Sequence, residues 1–136
     1  MIQRIQSVWL LIATVITFLT LKLSFYSGTY LPDNQYHQLN GTDNIGLMII
    51  TIALGMLSLI TIFLFKTRII QLRLCIVGIL LDLLLIFLYY KATQDFTQGE
   101  YAIAASSHIL IILALFLAAR GINKDEKLIK ESSRLR

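Results

Sequence analysis

The chain has 136 residues, 57% of them hydrophobic and 15% charged, with a net charge of +4. Charge this sparse excludes a soluble domain of ordinary composition. The lone cysteine, Cys75, excludes an intrachain disulfide and a Cys-x-x-Cys redox pair.

In chain order, the first apolar window runs over 7–23. Arg4 precedes it as in a secretion signal, but "LSFYSG" places Phe25 and Tyr26 where a cleavage site needs small residues, so the window stays as a permanent span. Residues 24–44 form a loop in which Pro32, in "LPDN", predicts a turn. Phe25, Tyr26, Tyr30 and Tyr36 suit the membrane boundary as anchors. A ligand pocket there is the less favoured reading, and the "NGT" triplet at Asn40 is read as chance.

The second window, 45–65, contains no charge. A soluble bundle would show polar residues every third or fourth position on its outer face. The third window, 74–90, follows "KTRIIQLR", and the fourth, 101–119, precedes the charged tail 120–136. Each window is about the 17–25 residues that a helix needs to cross some 30 Å of hydrocarbon, and helices satisfy their own backbone in lipid. The expected fold is all-α: an integral membrane four-helix bundle over 1–119 with a short cytoplasmic helix after it.

Orientation follows from the cations. Arg4, the connection carrying Lys66, Arg68 and Arg73, and the tail carrying Arg120, Lys124, Lys127, Lys130, Arg134 and Arg136 hold ten of the twelve basic residues. Both termini are therefore expected in the cytoplasm. The opposite face is mildly acidic, with Asp33, Asp43, Asp95 and Glu100 against Lys22 and Lys91.

Asp82, in "GILLDLLLIF", sits near mid-membrane, where a carboxylate costs about 2.5–3.5 kcal/mol. Thr14, Thr17 and Ser58 lie at matching depth as hydrogen-bonding partners, which makes a structural polar cluster the leading reading. A proton or cation relay and a subunit contact are the alternatives. His108, counted about 10 Å inward from the outer face, comes out some 8–12 Å from Asp82 along the membrane normal, so direct pairing is not expected. Gly55, Gly78, Ala102 and Ala105 allow close helix approach.

In the tail, Asn123 and Glu126 resemble a capping box, predicting a helix from Lys124 with Glu126–Lys130 and Lys127–Glu131 pairs. Arg120, Lys124, Lys127, Lys130, Arg134 and Arg136, together with Arg68 and Arg73, are the expected partner-binding cations; the basic stripe of the tail suits anionic headgroups, with an acidic protein or RNA surface as the alternative.

"MIQRIQSVWLLIA", "RIIQLRLC" and "ARGINKDEKLIKESSRLR" resemble an uncharacterised four-span inner-membrane family of Bacteroidota, known as a domain of unknown function. The resemblance covers essentially the whole chain. It implies a Gram-negative inner membrane and brings no activity with it.

No metal-ligand cluster, nucleophile beside a base or phosphate-binding glycine loop is present, so neither an enzyme nor a cofactor is expected. Small four-helix multidrug transporters place a Glu in their first span, where this chain has threonines. The expected function is a small accessory or assembly subunit of a larger membrane complex. Its expected partners are lipid, that complex and a cytoplasmic protein at the tail, with no DNA. Transport through Asp82, and docking of RNA or anionic lipid through the tail, are the alternatives.

Overall fold

The computed structural model describes residues 2–136, with side chains from Ile5 onward; Met1 and the side chain of Arg4, one of the counted cations, lie outside the described residues. The elements are α1 (Ile2–Thr20), β1 (Ser24–Tyr30), β2 (Gln35–Asn40), α2 (Ile45–Phe63), α3 (Arg68–Thr93), β3 (Phe96–Tyr101) and α4 (Ile103–Arg134). Each helix packs on its chain neighbours, and α1 closes the ring against α4. Among the described residues, α2, α3 and α4 are long and apolar enough to cross a membrane, while the apolar stretch of α1, Ile5–Thr20, is shorter.

The chain is not all-α. An antiparallel sheet of order β2-β1-β3 lies at one end of the bundle. The "LPDN" turn is where it was expected, with Asn34 at φ 51° between β1 and β2. What local sequence hides is the partner of β1: Tyr26 pairs with Tyr101 and Tyr30 with Phe96, about seventy positions on. The aromatics read as headgroup anchors are strand residues: Tyr26 packs against Phe96 at 5.8 Å and Tyr101 at 5.2 Å, Tyr30 against Phe96 at 5.2 Å, and Phe25 is buried, while Tyr36 on β2 is exposed. Gly99 is required here, because a Cβ on it would lie 2.4 Å from the Tyr26 ring.

The helix limits also differ from the apolar windows. α1 ends at Thr20 rather than 23, and α3 begins at Arg68, so most of "KTRIIQLR" is helix rather than connection. α4 runs unbroken to Arg134, and there is no separate tail helix capped by Asn123. Gly121 sits inside α4 where α1 crosses: a Cβ there would meet Gln6 Cγ at 2.9 Å. Ile122 and Asp125 are buried behind it, so packing on α1 carries the helix through the polar stretch.

The outer surface is inverted relative to a soluble bundle. Leu11, Val15, Ile49, Leu80, Leu113 and Phe116 point outward, while the interior holds an apolar core of Leu10, Leu54, Leu85, Ile111 and Leu115 and encloses Thr14, Thr17, Thr51, Ser58, Asp82 and His108 with it. The buried threonines need no distant partner. Thr14 donates to the Leu10 carbonyl at 2.8 Å, Thr17 to Ala13 at 2.7 Å and Thr51 to Leu47 at 2.7 Å.

Candidate functional site

Asp82 lies on α3 facing α4, and its Oδ1 is 2.7 Å from His108 Nδ1. Both side chains are fully enclosed, at 0% and 1% exposure. This corrects the expected separation. Measuring the two residues from opposite faces of a 30 Å layer set them apart; in the structure Asp82 lies about 16 Å before the end of α3 at Thr93 and His108 about 8 Å after the start of α4 at Ile103, so α4 begins deeper in the bundle than α3 ends, with β3 between them, and the two residues meet. The packing shows the same register, since a Cβ on Gly78 of α3 would touch Leu115 of α4 at 3.2 Å.

The expected partners of Asp82 behave otherwise. Thr14 and Thr17 bond to their own helix backbone. Ser58 Oγ is buried with no hydrogen-bond partner among the described residues, as are Asp82 Oδ2 and His108 Nε2.

Above the pair lies an aromatic layer. Phe25 of β1 stacks on Tyr89 of α3, with centroids 4.3 Å apart and planes at 11°. His108 meets both rings, Phe25 at 5.7 Å and Tyr89 at 5.4 Å. The Tyr89 hydroxyl is hydrogen-bonded to Thr51, and the turn at Gly41 passes directly over it. Phe25 is held in turn by its carbonyl, which accepts from the Ala102 N–H at the start of α4 at 2.9 Å. The pair thus lies directly under the sheet. Chemically it is a carboxylate and an imidazole sharing a hydrogen in a dry interior; among the described residues no third His, Cys, Asp or Glu joins it.

A second polar tie joins the helices at the other end of the bundle. Gln6 Nε2 donates to Asp125 Oδ2 at 2.5 Å, and the Arg68 guanidinium donates to the Asp125 carbonyl at 3.3 Å. Sequence reasoning missed this tie, although a Gln and an Asp on helices expected to pack together were available as a signal. Arg68, read as a partner-binding cation, is in part committed within the chain. The other cations assigned to that role, Arg73, Arg120, Lys124, Lys127, Lys130, Arg134 and Arg136, are exposed. The expected Glu126–Lys130 pair forms at 2.8 Å.

Surface cavities flank both ends. One of about 330 Å³ lies beside the sheet between Asp33, Asp43 and Asp95. Another, of about 490 Å³, is bounded by Phe65, Lys66, Arg68 and Ile129.

No curated protein and no solved structure matches the chain. A family profile covers residues 2–135, and the chain belongs to that family, described as a domain of unknown function (DUF4293).

Proposed function

We propose that the chain is an integral protein of the inner membrane of a Bacteroidota cell, with four spans and both termini cytoplasmic, acting as a non-enzymatic accessory or assembly subunit of a larger membrane complex. The observation that carries this reading is the inverted burial: aliphatic and aromatic side chains face outward along the helices while hydroxyls, a carboxylate and an imidazole are enclosed. α1, whose apolar stretch Ile5–Thr20 rises about 24 Å, is read as the fourth and shortest span, with Lys22 reaching the headgroups. α4, with 32 residues, extends about 48 Å, which leaves its basic end beyond the hydrocarbon as the part that meets cytoplasmic partners. Little mass stands outside the layer otherwise: a small sheet on one side, a short turn and the helix end on the other. That economy supports a subunit role. Crosslinking from 124–136 followed by purification in mild detergent tests it. A discrete membrane partner is expected, and a monodisperse protomer with nothing attached contradicts the proposal.

A second reading, proton-coupled movement of a small solute, is favoured by one observation, the enclosed Asp82–His108 pair with two unpartnered atoms. It requires that Asp82→Asn abolish a proton-linked flux in vesicles while leaving the fold intact.

A further inference from the structure

The charge of the Asp82–His108 pair has to balance almost within itself. α1 carries no ionisable side chain between Gln6 and Lys22, and α2 none from Ile45 to Phe63. α3 faces the pair with Asp82 itself and Tyr89, α4 with His108, and β1 with Phe25. Asp43, in the turn before α2, acts on Tyr89, and β3 approaches through Tyr101 against Phe25.

His108 commits Nδ1 to Asp82 Oδ1, leaving Nε2 without a partner among the described residues. With a proton on Nδ1 alone the pair carries one negative charge; a second proton, taken from water onto Nε2, makes an imidazolium beside a carboxylate with no net charge. A medium of low dielectric favours the neutral pair over the isolated anion. Nε2 is therefore the atom at which this proton arrives and leaves.

The surroundings of the pair are not symmetric. On the sheet side, Phe25 lies 5.7 Å from His108 and Tyr101 lies 6.0 Å beyond that, centroid to centroid, and Tyr101 is exposed. On the tail side, Leu115 and Leu57 close on Gly78, with Ala118 and Ile122 buried behind them. From Asp82 to Arg68, α3 runs about 21 Å in that direction.

We infer that the Asp82–His108 pair is a proton-binding site that exchanges with the sheet side of the membrane alone, and that its occupancy sets how firmly the sheet is seated on the bundle. Phe25 couples the two, because it stacks on Tyr89, meets the imidazole and holds the start of α4 through its carbonyl. An imidazolium edge is attracted to the ring systems above it. Loss of the proton leaves a dry anion beneath them, whose solvation requires β1 to lift and admit water. The inference rests on the membrane placement proposed above, and it separates from the transport reading, which needs access from both sides.

The test uses the full chain with His37→Gln, leaving His108 as the single imidazole, labelled with 15N and reconstituted in liposomes of phosphatidylethanolamine and phosphatidylglycerol. Vesicles are sorted by protease access to the chain beyond Asp125. Changing the external pH from about 5 to about 9, the range in which imidazole titrates, shifts the His108 Nε2 resonance only in vesicles whose sheet faces outward. A resonance that follows pH on the tail side overturns the one-sided site, and one that follows neither overturns the proton site. Hydrogen exchange reads the coupling: protection of amides 24–30, corrected for intrinsic rates, falls about tenfold on proton loss, the equivalent of one pH unit of linkage. That response vanishes in Asp82→Asn. If Asp82→Asn does not fold, Phe25→Leu keeps the titrating pair and shrinks the response of β1. Protection that stays constant through the transition overturns the coupling. A chain that remains monodisperse without detergent would instead sink the membrane placement, and His108 would still be readable because the bundle itself encloses the pair.

Discussion

Two polar ties hold α4 to its neighbours, and their difference in depth separates two uses of the same chemistry. His108 meets Asp82 in an enclosed interior beneath an aromatic layer. Asp125, some 25 Å further along the helix, meets Gln6 at the rim, where the Arg68 guanidinium also reaches its backbone. The rim tie joins a carboxylate to a neutral amide with a cation at hand, which suits a fastener. The deep tie joins two ionisable groups and leaves an atom of each unpartnered among the described residues, an arrangement with no advantage over leucine for stability alone.

The largest effect should come from breaking the deep tie on one side only. Asp82→Ala or His108→Ala leaves the other member enclosed without its partner, and the expected loss is about 3–5 kcal/mol, read as a lowered thermal midpoint and folded yield in detergent. The double variant Asp82→Leu/His108→Leu should recover most of that loss, since an apolar pair of similar volume needs no partner. A double variant as damaged as either single one would show that the pair is not the coupled unit described.

At the rim the effects are smaller. Gly121→Leu forces a side chain against Gln6 and should cost about 1–3 kcal/mol by overpacking. Gln6→Leu should cost about 1.5–3 kcal/mol by removing a hydrogen bond to a charged group, and both should loosen the tail end of α4 in hydrogen exchange while leaving the sheet unchanged. Smallest of all, Lys130→Ala removes an exposed i,i+4 pair with Glu126 and should shift stability by about 0.3–0.5 kcal/mol, with the shift fading as salt is raised.

The same contrast marks what could be read from the sequence. Apolar windows reveal the helices because hydrocarbon imposes a length, and the Pro32 turn and the Glu126–Lys130 pair are local chemistry set by spacing. The sheet was hidden because β1 finds β3 only after two helices have been laid down between them. The Asp82–His108 contact was hidden because α4 was counted from Tyr101 at the outer face, whereas Tyr101 belongs to β3 and the helix begins at Ile103, deeper in the bundle than α3 ends. The continuity of α4 was hidden because Asn123 and Glu126 carry the start signal of a new helix, which the packing of Gln6, Ile122 and Asp125 overrides.

The central claim is that the outward aliphatic faces are solvated by lipid, with the sheet on one side and the end of α4 on the other. In a Cys75→Ala background, Gln98→Cys places a thiol on β3 and Ser133→Cys places one near the end of α4. Treated with a membrane-impermeant maleimide in spheroplasts, Gln98→Cys is expected to label at once and Ser133→Cys only after the membrane is permeabilised. Labelling of both positions in sealed spheroplasts, or of Ser133→Cys alone, would contradict the account.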